Sequence, residues 1–342
     1  MPQRPRTGGR SAAAWEGVAS LDSDSMATSS TAIRLAARDR AGAALAARLW
    51  PISLLAVAAL LGVTATGATV RLTASGLGCE SWPGCGGTVS LPAHSYHSYV
   101  EFGNRLFSVF PVVFSVALAL AAWRRRELAR WARWAALGVC AATLFQAPLG
   151  YLTVLSGLHP LMVMAHFLLT LLDIALAVLV AVEVFRLRRG SESALPPRHL
   201  RFGGLAVVGL GALLVVSGAF TTAAGPHPGD YSENVRRFGN FGTDVWLHVR
   251  AATVFGVALI GLTALLVRQR RRWPLAAGAA AVALVFGLLQ AAVGELQYRT
   301  GLPWKTVLVH VSVAGILWAS VVALAAFLWR MPAGRAGPRP GS

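Results

Sequence analysis

The chain has 342 residues, 55% of them hydrophobic and only 13% charged, where a soluble domain carries about 25% charged residues. That composition excludes an intrinsically disordered chain, a collagen, a disulfide miniprotein and an ordinary soluble enzyme for the bulk of the sequence, and leaves a multi-spanning membrane protein. The net charge of +17 suggests nucleic acid only until it is mapped: the bases fall in short bursts between apolar runs, the pattern of membrane topology, so no nucleic-acid partner is expected.

Residues 1–48 are polar and rich in Ala, Ser and Arg, and are expected to form a disordered tail. They do not read as a secretory signal, because the following apolar run is long enough to span and no small-residue cleavage pattern directly follows it. Met26 is a plausible alternative start. A spanning helix needs about 20 mostly apolar residues. Eight are predicted, at 50–70, 99–122, 134–155, 163–185, 203–222, 244–267, 274–296 and 304–329. The apolar runs are continuous rather than alternating, which argues against a large barrel. Arg124–Arg126, Arg130 and Arg133 follow the second helix, Arg186, Arg188, Arg189, Arg198 and Arg201 the fourth, and Arg268 and Arg270–Arg272 the sixth. With the two tails, 24 of the 31 bases lie on one side. The positive-inside rule makes that side cytoplasmic, with both termini inside. Residues 331–342 read as a second disordered tail. All bases but one are Arg, and with many Ala and Gly this suggests a GC-rich bacterial genome, so the expected location is a bacterial cell membrane.

The chain repeats itself at a shift of 144 residues. Gln146, Ala147, Gly150, Leu152, Gly157, Leu158, Val163 and His166 fall on Gln290, Ala291, Gly294, Leu296, Gly301, Leu302, Val307 and His310, and Asn104 falls on His248. Thr66-Gly67-Ala68 echoes Ser217-Gly218-Ala219 at a shift of 151. Four helices per half make this a parallel repeat about an axis along the membrane normal. The expected architecture is all-α: two pseudo-symmetric four-helix bundles, 49–189 and 203–330, joined by a cytoplasmic linker at 190–202. Such bundles hold cofactors between facing helices.

His166, His248 and His310 lie near the starts of helices 4, 6 and 8, at one depth with Asn104 in the outer half of the membrane. Imidazole in hydrocarbon is costly and usually functional. Two neutral imidazoles on facing helices, His248 and His310, can ligate a haem iron from both sides. Zinc is disfavoured, because no third ligand stands at metal spacing. The first half is different: Asn104 stands where the repeat predicts His, and an amide is a poor haem ligand. One half then holds a six-coordinate iron suited to electron transfer, and the other leaves a position open for chemistry. Glu101, Asn104 and Arg105 share a helix face. Glu101 is either a partner that fastens Arg105 or a proton-handling group beside the reacting centre. Arg71, Arg105, Arg250 and Arg299 lie near the outer interface, placed to meet haem propionates or to snorkel. Asp173 follows His166 by two turns, with a hydrogen bond in the bundle or a proton path as its two readings. Cys79 and Cys85, in the first outer loop, are spaced for a disulfide, either a structural staple or a redox-active pair. Cys140 reads as a small core residue. His94, His97, His159 and His227 fall in outer loops as surface histidines, and the loop of His227 corresponds to the cysteine loop.

With these residues in place, the chain resembles the haem A synthase family over about residues 50–330. The resemblance rests on two four-helix halves, on Gly76-Leu77-Gly78-Cys79 with Trp82-Pro83-Gly84-Cys85, on Glu101-Phe102-Gly103-Asn104-Arg105, and on the single histidines opening helices 4, 6 and 8. It implies an oxidoreductase that converts haem O to haem A by oxidising a ring methyl to a formyl group through successive hydroxylations. It implies haem b between His248 and His310, the substrate haem O near His166 with Asn104 and Arg105, an essential carboxylate at Glu101, and a cysteine pair at Cys79 and Cys85. Implied partners are haem O and haem A, haem O synthase, cytochrome oxidase assembly factors, an electron-transfer partner and membrane lipid. The family often has Glu-x-x-His-Arg on helix 2. Asn104 in place of that His leaves His166 as the sole protein ligand of the substrate. The second outer-loop cysteine pair of some members is missing from 223–243. A rival class is a dihaem membrane cytochrome taking electrons from a quinol, which explains the histidines but gives Glu101 no task. A transporter with repeat-related halves predicts broken helices and a charged midplane site. A haem carrier that leaves its cargo unaltered is a further reading.

Overall fold

A computed structural model describes residues 48–79, 81–86, 92, 95–189, 195–232 and 235–329. Residues 1–47 of the predicted tail 1–48, the predicted tail at 331–342, the start of the linker at 190–194 and His94 lie outside the described residues. Eight helices long and apolar enough to cross a membrane make up most of the rest: α1 (Arg48–Leu72), α2 (Tyr96–Trp123), α3 (Arg130–Leu155), α4 (Pro160–Arg189), α5 (Arg198–Ala224), α6 (Phe241–Arg268), α7 (Pro274–Arg299) and α8 (Trp304–Leu328). Most run a turn or so beyond the purely apolar stretch. Their ends carry Arg, Trp and Tyr, the residues of a membrane interface, where backbone groups still need internal partners. Helix α5 is already helical at Arg198, inside the stretch 190–202.

Side-chain caps fix two of the helix starts. Ser95 accepts from the Ser98 amide at the start of α2, and Asn240 accepts from the Thr243 amide at the start of α6. The sequence predicts helix 2 as unbroken, but α2 is interrupted at Ser108. Pro111 has no N–H for the Phe107 carbonyl and its ring crowds that carbonyl, so the preceding turn yields.

Helix α5 packs on α6, α6 on α7, α7 on α8 and α8 back on α5. Leu200, Leu259, Leu266, Leu324 and Leu328 fill the space between them. Ala276, Ala280 and Ala283 on α7 are buried, and such small residues let membrane helices approach closely. In the first half, Leu49 and Ala56 of α1 meet Leu118 and Ala122 of α2, Ala132 and Ala136 of α3, and Val180 and Val184 of α4. The halves join along α4. Ile174 and Val178 pack with Val322 and Ala326 of α8, and Met164 packs with Ala219 and Ala223 of α5. The Trp318 indole donates to the Leu171 carbonyl at 2.8 Å across the same seam.

These cores sit toward the arginine-rich ends. In the second half, Phe255 and Leu317 each lie seven residues, roughly 10 Å, inward of His248 and His310. The opposite ends are closed by turns of shared form. After α3, Gly157 and Leu158 take φ +63 and +59, and after α7, Gly301 and Leu302 take +78 and +60. The amides of Leu158 and Leu302 return to Thr153 and Gln297, at 2.9 and 2.7 Å. These pairs stand at the 144-residue shift read from the sequence.

Candidate haem site

Helix α6 carries His248 and α8 carries His310, six or seven residues from their helix starts. The two rings face each other with centroids 6.4 Å apart and planes inclined by 71°. Two metal–imidazole bonds of about 2.0–2.1 Å in line set such centroids roughly 6 Å apart, so the pair fits one iron between them. Each ring lies against a glycine of the neighbouring helix. A Cβ on Gly218 of α5 would stand 3.0 Å from His248 Cε1, and one on Gly294 of α7 3.0 Å from His310 Cε1. The Ser217 hydroxyl meets His248 Nδ1 at 3.0 Å. A partner on one ring nitrogen fixes the tautomer and frees the other for a metal. His310 turns its Nδ1 toward α7, beside the Gln290 backbone and Gly294, which leaves its other ring nitrogen for a metal.

The first half repeats this scaffold with different chemistry. Thr66, the counterpart of Ser217, donates to Asn104 Oδ1 at 2.7 Å. The amide is therefore pinned to α1 rather than free to act as a ligand. His166 on α4 stands over Gly150 of α3, where a Cβ would lie 3.5 Å from Cε1, and its Nδ1 is buried and unpartnered. The Gln146 amide donates to the His166 carbonyl at 3.2 Å and to Thr170 Oγ1 at 2.8 Å.

Glu101 is buried, at 4% exposure, and both its oxygens are engaged. Oε2 accepts the Cys79 amide at 2.8 Å, and Oε1 accepts Arg105 Nη2 at 2.5 Å. Cys79 and Cys85 form a disulfide, so the carboxylate holds one end of a closed loop. Arg105 holds the loop's interior, donating to the carbonyls of Ser81 (2.7 Å) and Gly84. The close approach needs Gly78, where a Cβ would fall 2.6 Å from the His97 backbone. Glu101, Arg105 and the cysteine pair are thus one unit.

Two arginines placed by sequence near haem propionates are otherwise occupied. Arg105 serves the loop, and Arg71 donates to the carbonyls of His227 (2.9 Å) and Thr222 (2.7 Å), tying the end of α1 to the end of α5. Arg250 lies over the Trp246 ring, and Arg299 pairs with Glu295 on an exposed surface. His97 and His227, read as surface residues, have partners: Ser75 Oγ at 3.0 Å and the Leu302 carbonyl at 2.8 Å. The sequence reading missed Ser217 and Thr66 as supports of His248 and Asn104. The Thr66-Gly67-Ala68 and Ser217-Gly218-Ala219 echo was the available signal.

Eight helices long and apolar enough to cross a membrane, with His166, His248 and His310 half-buried among them, define a polytopic helical protein. Residues 50–322 match the model of the cytochrome oxidase assembly protein family, COX15-CtaA, and the chain belongs to that family. It is 28% identical over 286 residues to the haem A synthase of Listeria monocytogenes serovar 1/2a, covering 80% of this chain and 92% of that protein. It is also similar to the haem A synthase of Bacillus licheniformis, 29% identical over 172 residues, or 49% of this chain and 57% of the relative. With that of Bacillus pumilus it shares 30% identity over 151 residues, 44% of this chain and 49% of the relative.

Proposed function

We propose that the chain is a haem A synthase of a bacterial cell membrane, with both termini cytoplasmic. The observation that carries this reading is the contrast between the halves: His248 faces His310 across the span of one iron, whereas at the matching positions of the first half stand His166 and an Asn104 tied to Thr66. Family membership and the names of the relatives support it.

In this reading His248 and His310 hold haem b. Held by both imidazoles, that haem would supply one-electron transfer. The substrate haem O sits in the first half with His166 on its iron. Overall, the ring methyl gives up four electrons and gains two oxygens in two successive hydroxylations, with the oxygen source and the electron acceptor both supplied from outside the chain, and the resulting gem-diol loses one water to leave the formyl group. Glu101 holds or passes a proton at this centre. Arg105 and the Cys79–Cys85 loop keep its carboxylate in place and shield it from water. Haem O synthase and cytochrome oxidase assembly factors are the partners that would supply haem O and receive haem A.

The test is to purify the protein from a host that makes haem O, extract its haems, and identify them by chromatography and mass. Haem B together with haem O and haem A, or the hydroxylated intermediate, is the expected result. Haem B alone, with haem O available in the host, would overturn the reading.

The glycines give a sharper test of the haem b pocket. Gly218→Ala and Gly294→Ala force a methyl to 3.0 Å from an imidazole carbon, and overpacking of this kind costs about 1–3 kcal/mol. Both are expected to lower the haem-to-protein ratio. Gly150→Ala makes only ordinary contact with His166, at 3.5 Å, and is expected to leave haem b content unchanged.

A further inference from the structure

Asp173 of α4 is fully buried, at 0% exposure, and no role described so far uses it. Its Oδ2 accepts the Thr143 hydroxyl of α3 at 2.6 Å, while its Oδ1 is buried without a partner. No countercharge faces it. Helix α4 packs on α1, α3, α5 and α8, and the stretches 49–70, 134–155, 202–224 and 306–328 of those helices contain no Lys, Arg, Asp or Glu. The titratable groups in these stretches are Cys140 and Tyr151 of α3 and His310 of α8, with His166 two turns away on α4 itself. An ionised carboxylate left so in a membrane is very costly, so the group is expected to carry a proton.

Polar groups link Asp173 to the His166 site. Thr170, one turn outward on α4, donates to the His166 carbonyl at 2.9 Å and accepts the Gln146 amide at 2.8 Å. Gln146 Oε1 and His166 Nδ1 are, like Asp173 Oδ1, buried and unpartnered. Three unmet polar atoms thus belong to α3 and α4, on the histidine, the acid and the Gln146 between them. In the other direction the seam is shut. Val139, Ile174, Ala177 and Val180 are each at 0% exposure.

The second half lacks this feature. At the 144-residue shift, Thr143, Thr170 and Asp173 become Gly287, Ala314 and Leu317. A Cβ on Gly287 would lie 4.0 Å from Leu317 Cδ1, so the same helix contact exists there in apolar form. The fold therefore does not need the Thr143–Asp173 pair to bring these helices together.

We propose that Asp173 is a proton store for the His166 site, reached along Thr170, Gln146 and Thr143 and closed toward the arginine-rich face. Asp173 is a positioning group for protons and does not touch the substrate. Its carboxylic acid releases one proton to the site and regains one from it, with no net gain, loss or electron change in a cycle. The inference rests on the first half being the reacting half.

The experiment uses full-length protein purified from a host that makes haem O. The infrared difference between native protein and Asp173→Asn is expected to show a carboxylic-acid C=O band that shifts when the native protein is moved into D2O. No such band, or one that D2O leaves in place, overturns the proposal. Neither readout depends on haem chemistry, so both stand even if no haem A forms in native protein, a result that would instead overturn the function proposed above. The double variant Thr143→Gly with Asp173→Leu reproduces the second half's pair. It is expected to keep native haem b content while haem A yield falls at least tenfold. Native yield would overturn the proposal. If the double variant lacks haem b, the yield of Asp173→Asn is read in its place.

Discussion

Replacing Glu101 by Gln is expected to slow haem A formation by about 10²–10⁴-fold, the usual contribution of a positioned acid or base, with haem b content unchanged. Gln keeps an oxygen able to accept the Cys79 amide, so the loop's first attachment survives. Arg105 retains the Ser81 and Gly84 carbonyls, so its second attachment survives as well. The charge and the proton are removed. His248 and His310 belong to the other half and feel no direct change. The checks are the extracted haems, identified by chromatography and mass, and the optical signal of haem b as a reporter of folding. Native haem A yield from Glu101→Gln would reduce Glu101 to a fastening for the disulfide loop, the reading its two hydrogen bonds alone also fit.

The spans were legible in the sequence because the membrane demands long apolar runs and flanking Arg marks their ends. His166, His248 and His310 were legible for a related reason: a polar ring inside such a run needs a cause. The pairing of His248 with His310 was read from their like places near the starts of helices 6 and 8. The glycines beneath the three histidines were visible only as repeated letters. Their role, admitting an imidazole between two helices, needs three dimensions. The work of Arg71 and Arg105 was not legible, because a guanidinium reaching the backbone carbonyls of distant loops leaves no periodic trace. Thr222 is 151 residues from Arg71, and any carbonyl end would have served. Ser108 marks a different lapse. Pro111 announces the break in α2, but the strong hydropathy of Val109–Trp123 outweighs it when the run is read as one helix. Asp173 stands between these cases. Its burial was predictable from its span, and its isolation becomes visible only when Leu317 is seen to do the same packing.

His248→Ala and His310→Ala are each expected to lose haem b, whereas His166→Ala is expected to keep it and lose haem O. A small side chain leaves the opposing imidazole as the only axial ligand and opens space where a ring had packed. The sharper test is His310→Met. Thioether is a competent axial ligand and raises the potential of a haem otherwise held by His. That variant should therefore retain haem b with an upward-shifted potential, measured by optical redox titration, and a reduced haem A yield if this haem relays electrons. Ser217→Ala removes the partner of His248 Nδ1 and leaves both ligands in place. Loss of such a support weakens metal binding about 10–100-fold, so haem b should be depleted by dilution or by competition with apoprotein. Haem b content unchanged in both alanine ligand variants would place haem b elsewhere. The 6.4 Å separation of these rings would then be a packing contact between α6 and α8, with Gly218 and Gly294 small for the sake of the helices alone.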